Sequence, residues 1–350
     1  MSDDIQRRKD DHLSLCLRDE VRAPAPHSLD AVRLAYDSLP DLDFDELDLS
    51  TVLFGRRLAA PLLIGAMTGG SEGGAKINRS LAKAASKLGL GMCLGSQRAM
   101  VEQPDLTWTY DVRAMAGEMP LVIGNLGAIQ LNKGIGVAEI NKALERLPLD
   151  VLAFHLNPLQ EAIQPRGDTN WRGLLDRLRD VVNRLDIDVI LKEVGAGISR
   201  HAAEKLATLP VAGIDASGVG GTSWSMVEAL RAGDSPAAQA GRSLAWFGVD
   251  TARSIQNCRA CFPDRVVIGS GGISTGYHMA AALALGADAV AVCQPLLAAA
   301  QQGPAQVVAK LEALLYELKV AMFCTGALNV EALRKIPRSS LRPSSPDGRS

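Results

Sequence analysis

Eight short apolar or β-branched runs, each closed by glycine, asparagine or a polar cluster, recur along the chain between segments of helical period. They cover residues 61–67, 91–96, 121–127, 151–157, 188–195, 213–218, 266–272 and 289–295. Strands this continuously apolar are buried on both faces, and amphipathic helices between them imply parallel neighbours with helices outside. Eight such units favour closure into an α/β (β/α)8 TIM barrel over an open, doubly wound sheet. One barrel domain is therefore expected over 61–336. The connection 219–265 is longer than one helix needs and opens with GVGGTSWSM, so it reads as an insertion after strand six, over the active face. Residues 1–60 form an N-terminal extension: a helix-like start, a stretch with Pro24 and Pro26, an acidic run and a hairpin around Gly55. The tail 337–350, rich in Ser, Pro and Arg, is expected to be disordered.

With 350 residues, 47% of them apolar and 22% charged, the chain can bury a sizeable core. A net charge of −2 makes no electrostatic case for nucleic acid. The charged start lacks the apolar centre of a signal peptide, and no apolar run is long enough to span a membrane, so a cytoplasmic protein is expected. Cys16, Cys93, Cys258, Cys261, Cys293 and Cys324 lack the spacing of a disulfide framework and fit reduced thiols. Cys258 and Cys261 stand three apart, but no second Cys or His pair lies near to complete a zinc site.

In a barrel of this kind the chemistry sits at the C-terminal ends of the strands. Those ends carry Met67 and Thr68; Ser96, Gln97 and Arg98; Asn125; His155, Asn157, Gln160 and Glu161; Lys192; Ser217 and Thr222; Gly271 and Gly272. The late glycine clusters, SGVGGTS and GSGGISTG, fall where barrels dock phosphate on backbone N–H groups; either alone could be only a tight turn. Lys192 interrupts an apolar strand, where an ammonium needs an anionic or electron-rich partner unless it snorkels to the rim. In HLNPLQE a histidine, two amides and a carboxylate crowd into seven residues, and a carboxylate beside phosphate is a common way to hold Mg²⁺.

With these motifs the sequence resembles the type 2 isopentenyl diphosphate isomerases, from about Arg8 to Arg334. RRKDDHL is similar to the family's first box, MTGG, GSQR and HLNPLQE match as they stand, and QPRGDTN, GGTSW and GGISTG are similar to further family segments. The resemblance implies an FMN site formed by Ala66, Met67, Thr68, Ser96, Asn125, Lys192, Ser217, Thr222, Gly271, Gly272, Cys293 and Gln294. It implies a substrate site, to which the N-terminal extension contributes, formed by Arg8, Lys9, Ser96, Gln97, Arg98, His155, Asn157, Gln160 and Trp224. Glu161 would carry Mg²⁺, and Gln160, Glu228 and Lys192 would be catalytic. Three departures stand out: Asp11 for a usual Glu, Arg166 for the Glu of QPEGD, and Ser274, Cys293 and Gln294 near the phosphate. Arg166 is expected to add charge near the diphosphate.

The expected reaction is the reversible conversion of isopentenyl to dimethylallyl diphosphate by protonation and deprotonation over reduced FMN, with NADPH or a similar donor priming the flavin. The resemblance also implies a homo-oligomer. A flavin-dependent hydroxy-acid oxidase shares the barrel but needs a base that ASGVGGTSW does not offer beside the flavin. A non-catalytic flavin or diphosphate binder is the other alternative.

Overall fold

The computed structural model describes residues 2–23 and 26–340. Eight parallel strands, β1 (Leu62–Ile64), β2 (Gly91–Cys93), β3 (Val122–Gly127), β4 (Val151–Leu156), β5 (Asp188–Glu193), β6 (Gly213–Asp215), β7 (Val266–Ser270) and β8 (Ala289–Val292), form a closed barrel. Each pairs with its sequence neighbour, and β8 returns to β1. All eight expected runs contain a barrel strand. The regular ladders of β1 and β2 are short: the residues beyond them are irregular, although Gly65 N still donates to Val292 O, Leu94 N to Ile123 O and Gln97 N to Asn125 O, each at 2.8 Å.

Alternation along each strand separates two cores. Leu62 and Ile64, Leu152 and Phe154, and Val189 and Leu191 face outward into the layer shared with the helices. Leu63, Cys93, Ile123, Ala153, Ile190, Ile268 and Ala291 face inward and fill the barrel. The expected hairpin, Thr51–Leu53 paired with Arg56–Leu58, brings Leu53 and Leu58 into that interior cluster. The barrel is thus a packed core with only its C-terminal mouth open to chemistry.

The insertion contains helices Trp224–Arg231, Pro236–Ser243 and Thr251–Cys261. The N-terminal extension begins with helix Ser2–Leu15 and is stitched to the loop after β6: Ala23 N donates to Gly221 O (2.7 Å) and Ser223 N to Val21 O (2.7 Å). One expectation is corrected at the C-terminus. Arg338–Ser340, at the start of the expected tail, is a strand antiparallel to Val32–Leu34. Residues 341–350 and Pro24 lie outside the described residues. Among the described residues no helix is long and apolar enough to cross a membrane.

Candidate active site

Strand parity decides which side chains enter the mouth. Ala153, Ile190 and Ile268 point into the barrel, so His155, Lys192 and Ser270, two residues further on, point the same way. His155 lies in register with Lys192, and Lys192 with Asp215. These four polar residues line the floor of a cavity of about 440 Å³.

Lys192 is buried, and its Nζ donates to the Glu193 carbonyl at 2.5 Å. Burial pushes the neighbouring Asp215 carboxyl up, while the Lys192 charge and bonds from Ser270 Oγ and Ser217 N oppose that rise. Glu193 turns away and accepts four successive N–H groups, Val194 to Gly197, at 2.5–3.1 Å, fastening the loop after β5. His155 Nδ1 lies 2.8 Å from Asn125 Oδ1. Burial, then the Lys192 and Lys9 charges, pushes this imidazole down to about 3. The ring is therefore neutral, with Nδ1–H donating to Asn125 and Nε2 without a hydrogen-bond partner among the described residues.

Helix Ser2–Leu15 roofs the cavity with Arg8, Lys9, His12 and Leu13. Lys9 Nζ donates to Ser96 O (3.2 Å), and burial, followed by Arg8, pushes its pKa down to about 8. Behind the wall, Glu228 is fully buried and gathers three partners: His12 Nε2 (2.9 Å), Gln160 Nε2 (2.9 Å) and Arg231 (2.6 Å). Burial would push the Glu228 carboxyl up, but these partners together hold it below the usual range. Trp224 meets the His12 ring edge-on at 5.1 Å.

Glu161 is buried at the cavity edge; its oxygens accept from Asn157 Nδ2 (2.9 Å), Gln164 Nε2 (3.3 Å) and Asp168 N (2.7 Å). Gly167 lets this turn close, since a Cβ there would meet the Glu161 carbonyl at 1.8 Å. Asp168 pairs with Lys133 (2.9 Å) and Arg98 (3.4 Å). Arg166 is exposed and outside the cavity, so it does not add the charge expected of it. The two glycine loops touch backbone to backbone: a Cβ on Gly272 would lie 2.1 Å from Gly220 O. Among the described residues the N–H groups of Gly272 and Ile273 find no acceptor.

The sequence model of the FMN-dependent dehydrogenases matches residues 148–339, more than half of the chain. A solved mandelate oxidase shares the fold with a TM-score of 0.63 at 17% identity, covering 94% of this chain and 92% of that one. Isopentenyl-diphosphate delta-isomerase of Deinococcus radiodurans is 45% identical, covering 94% of this chain and 97% of that protein. The enzyme of that name from Ignicoccus hospitalis is 41% identical over 93% and 91%. The chain belongs to the isopentenyl-diphosphate delta-isomerase family.

Within this family member the cavity gathers nearly every residue expected from sequence: Arg8, Lys9, Ala66, Met67, Thr68, Ser96, Arg98, Asn125, His155, Asn157, Gln160, Glu161, Lys192, Ser217, Thr222, Trp224, Gly271, Gly272, Cys293 and Gln294 all line it. Glu228 stands one residue back, touching Gln160. Gln97 is a correction. The turn after β2 aims its side chain between strand and helix, where Oε1 accepts from Asn125 N (2.8 Å) and Nε2 contacts Met100 Sδ. Sequence reasoning assigned no role to His12 and did not single out Asp215. Asp215 carried the same signal as Lys192, a charge inside an apolar strand; His12 shares a helix face with Arg8 and Lys9 at spacings of four and three.

Proposed function

We propose that the chain interconverts isopentenyl and dimethylallyl diphosphate in this cavity, with FMN on the polar floor and the substrate between the flavin and the N-terminal helix. The observation that carries the reading is the pairing of a buried Lys192 in the floor with Arg8 and Lys9 in the roof of one cavity. The residues fit a phosphorylated flavin. The acceptor-free N–H groups of Gly272 and Ile273 suit its phosphate, and Lys192 suits the electron-rich edge of its ring. When bound and reduced, the flavin supplies a ring that stabilises positive charge and a nitrogen able to exchange a proton.

The reaction adds a proton to the terminal alkene carbon, leaves a tertiary cation, and removes a proton from the methylene between that cation and the oxygen-bearing carbon. No net redox change occurs. Gln160 is gripped at both ends of its amide, Oε1 by Asn157 (3.2 Å) and Nε2 by Glu228 (2.9 Å), and stands at the wall where protons are exchanged. Glu228, backed by His12 and Arg231, is the carboxylate behind it. Trp224 walls the alkene and keeps water from the cation. Arg8, Lys9 and Arg98 hold the diphosphate, with Ser96, Asn157 and His155 beside them. A bound diphosphate lifts the His155 pKa against the lysine charges that depress it. Glu161, buried at the cavity edge, would hold Mg²⁺ there, and the ion would supply positive charge to offset the diphosphate.

NADPH or a similar donor primes the flavin once and is not consumed per turnover. The six free thiols fit the reducing cytoplasm, and a homo-oligomer follows from the family resemblance. The test is an anaerobic product assay with reductant at a small fraction of the substrate. Many turnovers per reductant are expected; product limited to the reductant added overturns the reading.

A further inference from the structure

His27, in the N-terminal extension, grips the phosphate loop from behind. Its Nδ1 accepts the Leu29 N–H (3.2 Å), so the ring proton sits on Nε2, which donates to the Gly271 carbonyl at 2.8 Å. Burial pushes the ring pKa down and keeps this neutral tautomer. The same carbonyl accepts from Thr251 Oγ1 at 2.7 Å. A trans peptide is planar, with its C=O and the following N–H on opposite sides. The Gly272 N–H therefore faces away from His27 and Thr251, and it is one of the N–H groups without an acceptor among the described residues.

His27 is braced in turn. Its ring stacks on His278 at 4.6 Å, and His278, in the first turn of helix Gly276–Ala284, meets Asp30 through Nε2 (2.8 Å). The ring also fills the space beside Gly220, where a Cβ would come within 2.5 Å of it. One side chain from outside the barrel thus touches both glycine loops and the helix that follows the second.

We propose that His27 is a positioning residue for the cofactor phosphate: by fixing the Gly271–Gly272 peptide it holds the Gly272 N–H ready for the anion. A preset donor binds more tightly than one that must be ordered on binding. The inference rests on the reading that the glycine loops receive the FMN phosphate.

The experiment measures FMN and riboflavin affinity of the apoprotein by quenching of flavin fluorescence, for the unaltered chain, His27→Leu and His27→Gln. The unaltered chain is expected to prefer FMN to riboflavin; no preference would refute the phosphate reading itself. Given that preference, His27→Leu is expected to weaken FMN about tenfold, the scale of leaving a buried carbonyl underbonded, with riboflavin affinity unchanged. His27→Gln, whose amide N–H can stand where Nε2–H does, is expected to recover most of the FMN affinity. The inference is overturned by FMN affinity unchanged in His27→Leu, by equal loss of both flavins, or by no recovery in His27→Gln.

Discussion

His12 Nε2 lies 2.9 Å from a carboxylate oxygen of Glu228, and this contact ties the N-terminal helix to the first helix of the insertion. Gln160 reaches the same oxygen from the cavity side, also at 2.9 Å. The cavity wall at Gln160 is therefore braced by a carboxylate that does not itself line the cavity. Glu228→Gln keeps the volume and removes the anion that Arg231 balances and His12 hydrogen-bonds. Turnover is expected to fall roughly a hundredfold or more, the scale of a lost general acid or base, with FMN affinity unchanged. Steady-state kinetics together with a flavin titration check this, and a drop under tenfold removes Glu228 from the proton path.

Lys9 is expected to set the basic limb of the pH profile. Its pKa is pushed down from 10.5 to about 8, so it is charged below that pH and neutral above it. Affinity for the diphosphate is expected to be greatest below pH 8 and to weaken as pH rises through it. In Lys9→Arg, whose guanidinium stays protonated, the weakening is expected to disappear. The Michaelis constant measured from pH 6.5 to 9.5 in both proteins decides it; an unchanged profile in Lys9→Arg assigns the limb to another group.

The barrel was legible because its signal is periodic: eight apolar runs with punctuated ends survive whatever the loops do. Most of the mouth was legible for the same reason, since parity extends each strand into the site, as it does from Ile190 to Lys192. Gln97 was misread because β2 leaves the ladder at Cys93, and a turn, unlike a strand, gives no rule for side-chain direction. The His12–Glu228 and His27–Gly271 contacts span 216 and 244 residues. No local pattern encodes such contacts, which depend on how the extension folds back over the barrel. The pairing of Arg338–Ser340 with Val32–Leu34 escaped for the same reason, hidden in a composition that reads as disorder.

Gln97 itself yields a prediction. Its Oε1 is the acceptor for the buried Asn125 N–H, so Gln97→Leu strands that donor. A stability loss of about 1–3 kcal/mol is expected, with the Michaelis constant within twofold of the unaltered protein. Urea unfolding and steady-state kinetics separate the effects; a large kinetic change at unaltered stability would return Gln97 to the substrate site.

His155 is expected to govern part of the acid limb of stability. Its folded pKa is about 3 against an ordinary 6.5, so between these values the unfolded chain binds a proton that the native protein does not. Stability is then expected to fall as pH drops from 6.5 towards 3, by up to about 1.4 kcal/mol per pH unit. His155→Gln carries no such proton, and its stability is expected to decline more gently over the same window. His12 and His27, also pushed down by burial, contribute to both proteins, so the difference between their slopes isolates His155. Equal slopes in urea unfolding from pH 4 to 7 would mean that the ring titrates normally.

Lys192 and Asp215 stand side by side on β5 and β6 with their heads in one buried layer. The Lys192 charge opposes the rise that burial imposes on the Asp215 carboxyl, so removing either alone leaves the other without that balance at the cavity floor. Lys192→Met is expected to destabilise the apoprotein by about 1–3 kcal/mol, the scale of a buried polar group losing its partner, and to weaken flavin binding. In the double variant Lys192→Met with Asp215→Asn the orphaned charge is gone. Its stability loss should therefore be smaller than the sum of the two single losses by at least about 1 kcal/mol. The amide oxygen of Asp215→Asn can still accept from Ser270 Oγ, so any recovery is expected to report the charges and not the hydroxyl contact. Denaturant unfolding of the four apoproteins supplies the cycle. Strict additivity would mean that Asp215 does not stabilise the Lys192 charge, leaving its hydrogen bond to the Glu193 carbonyl, 2.5 Å from Nζ, to hold the ammonium.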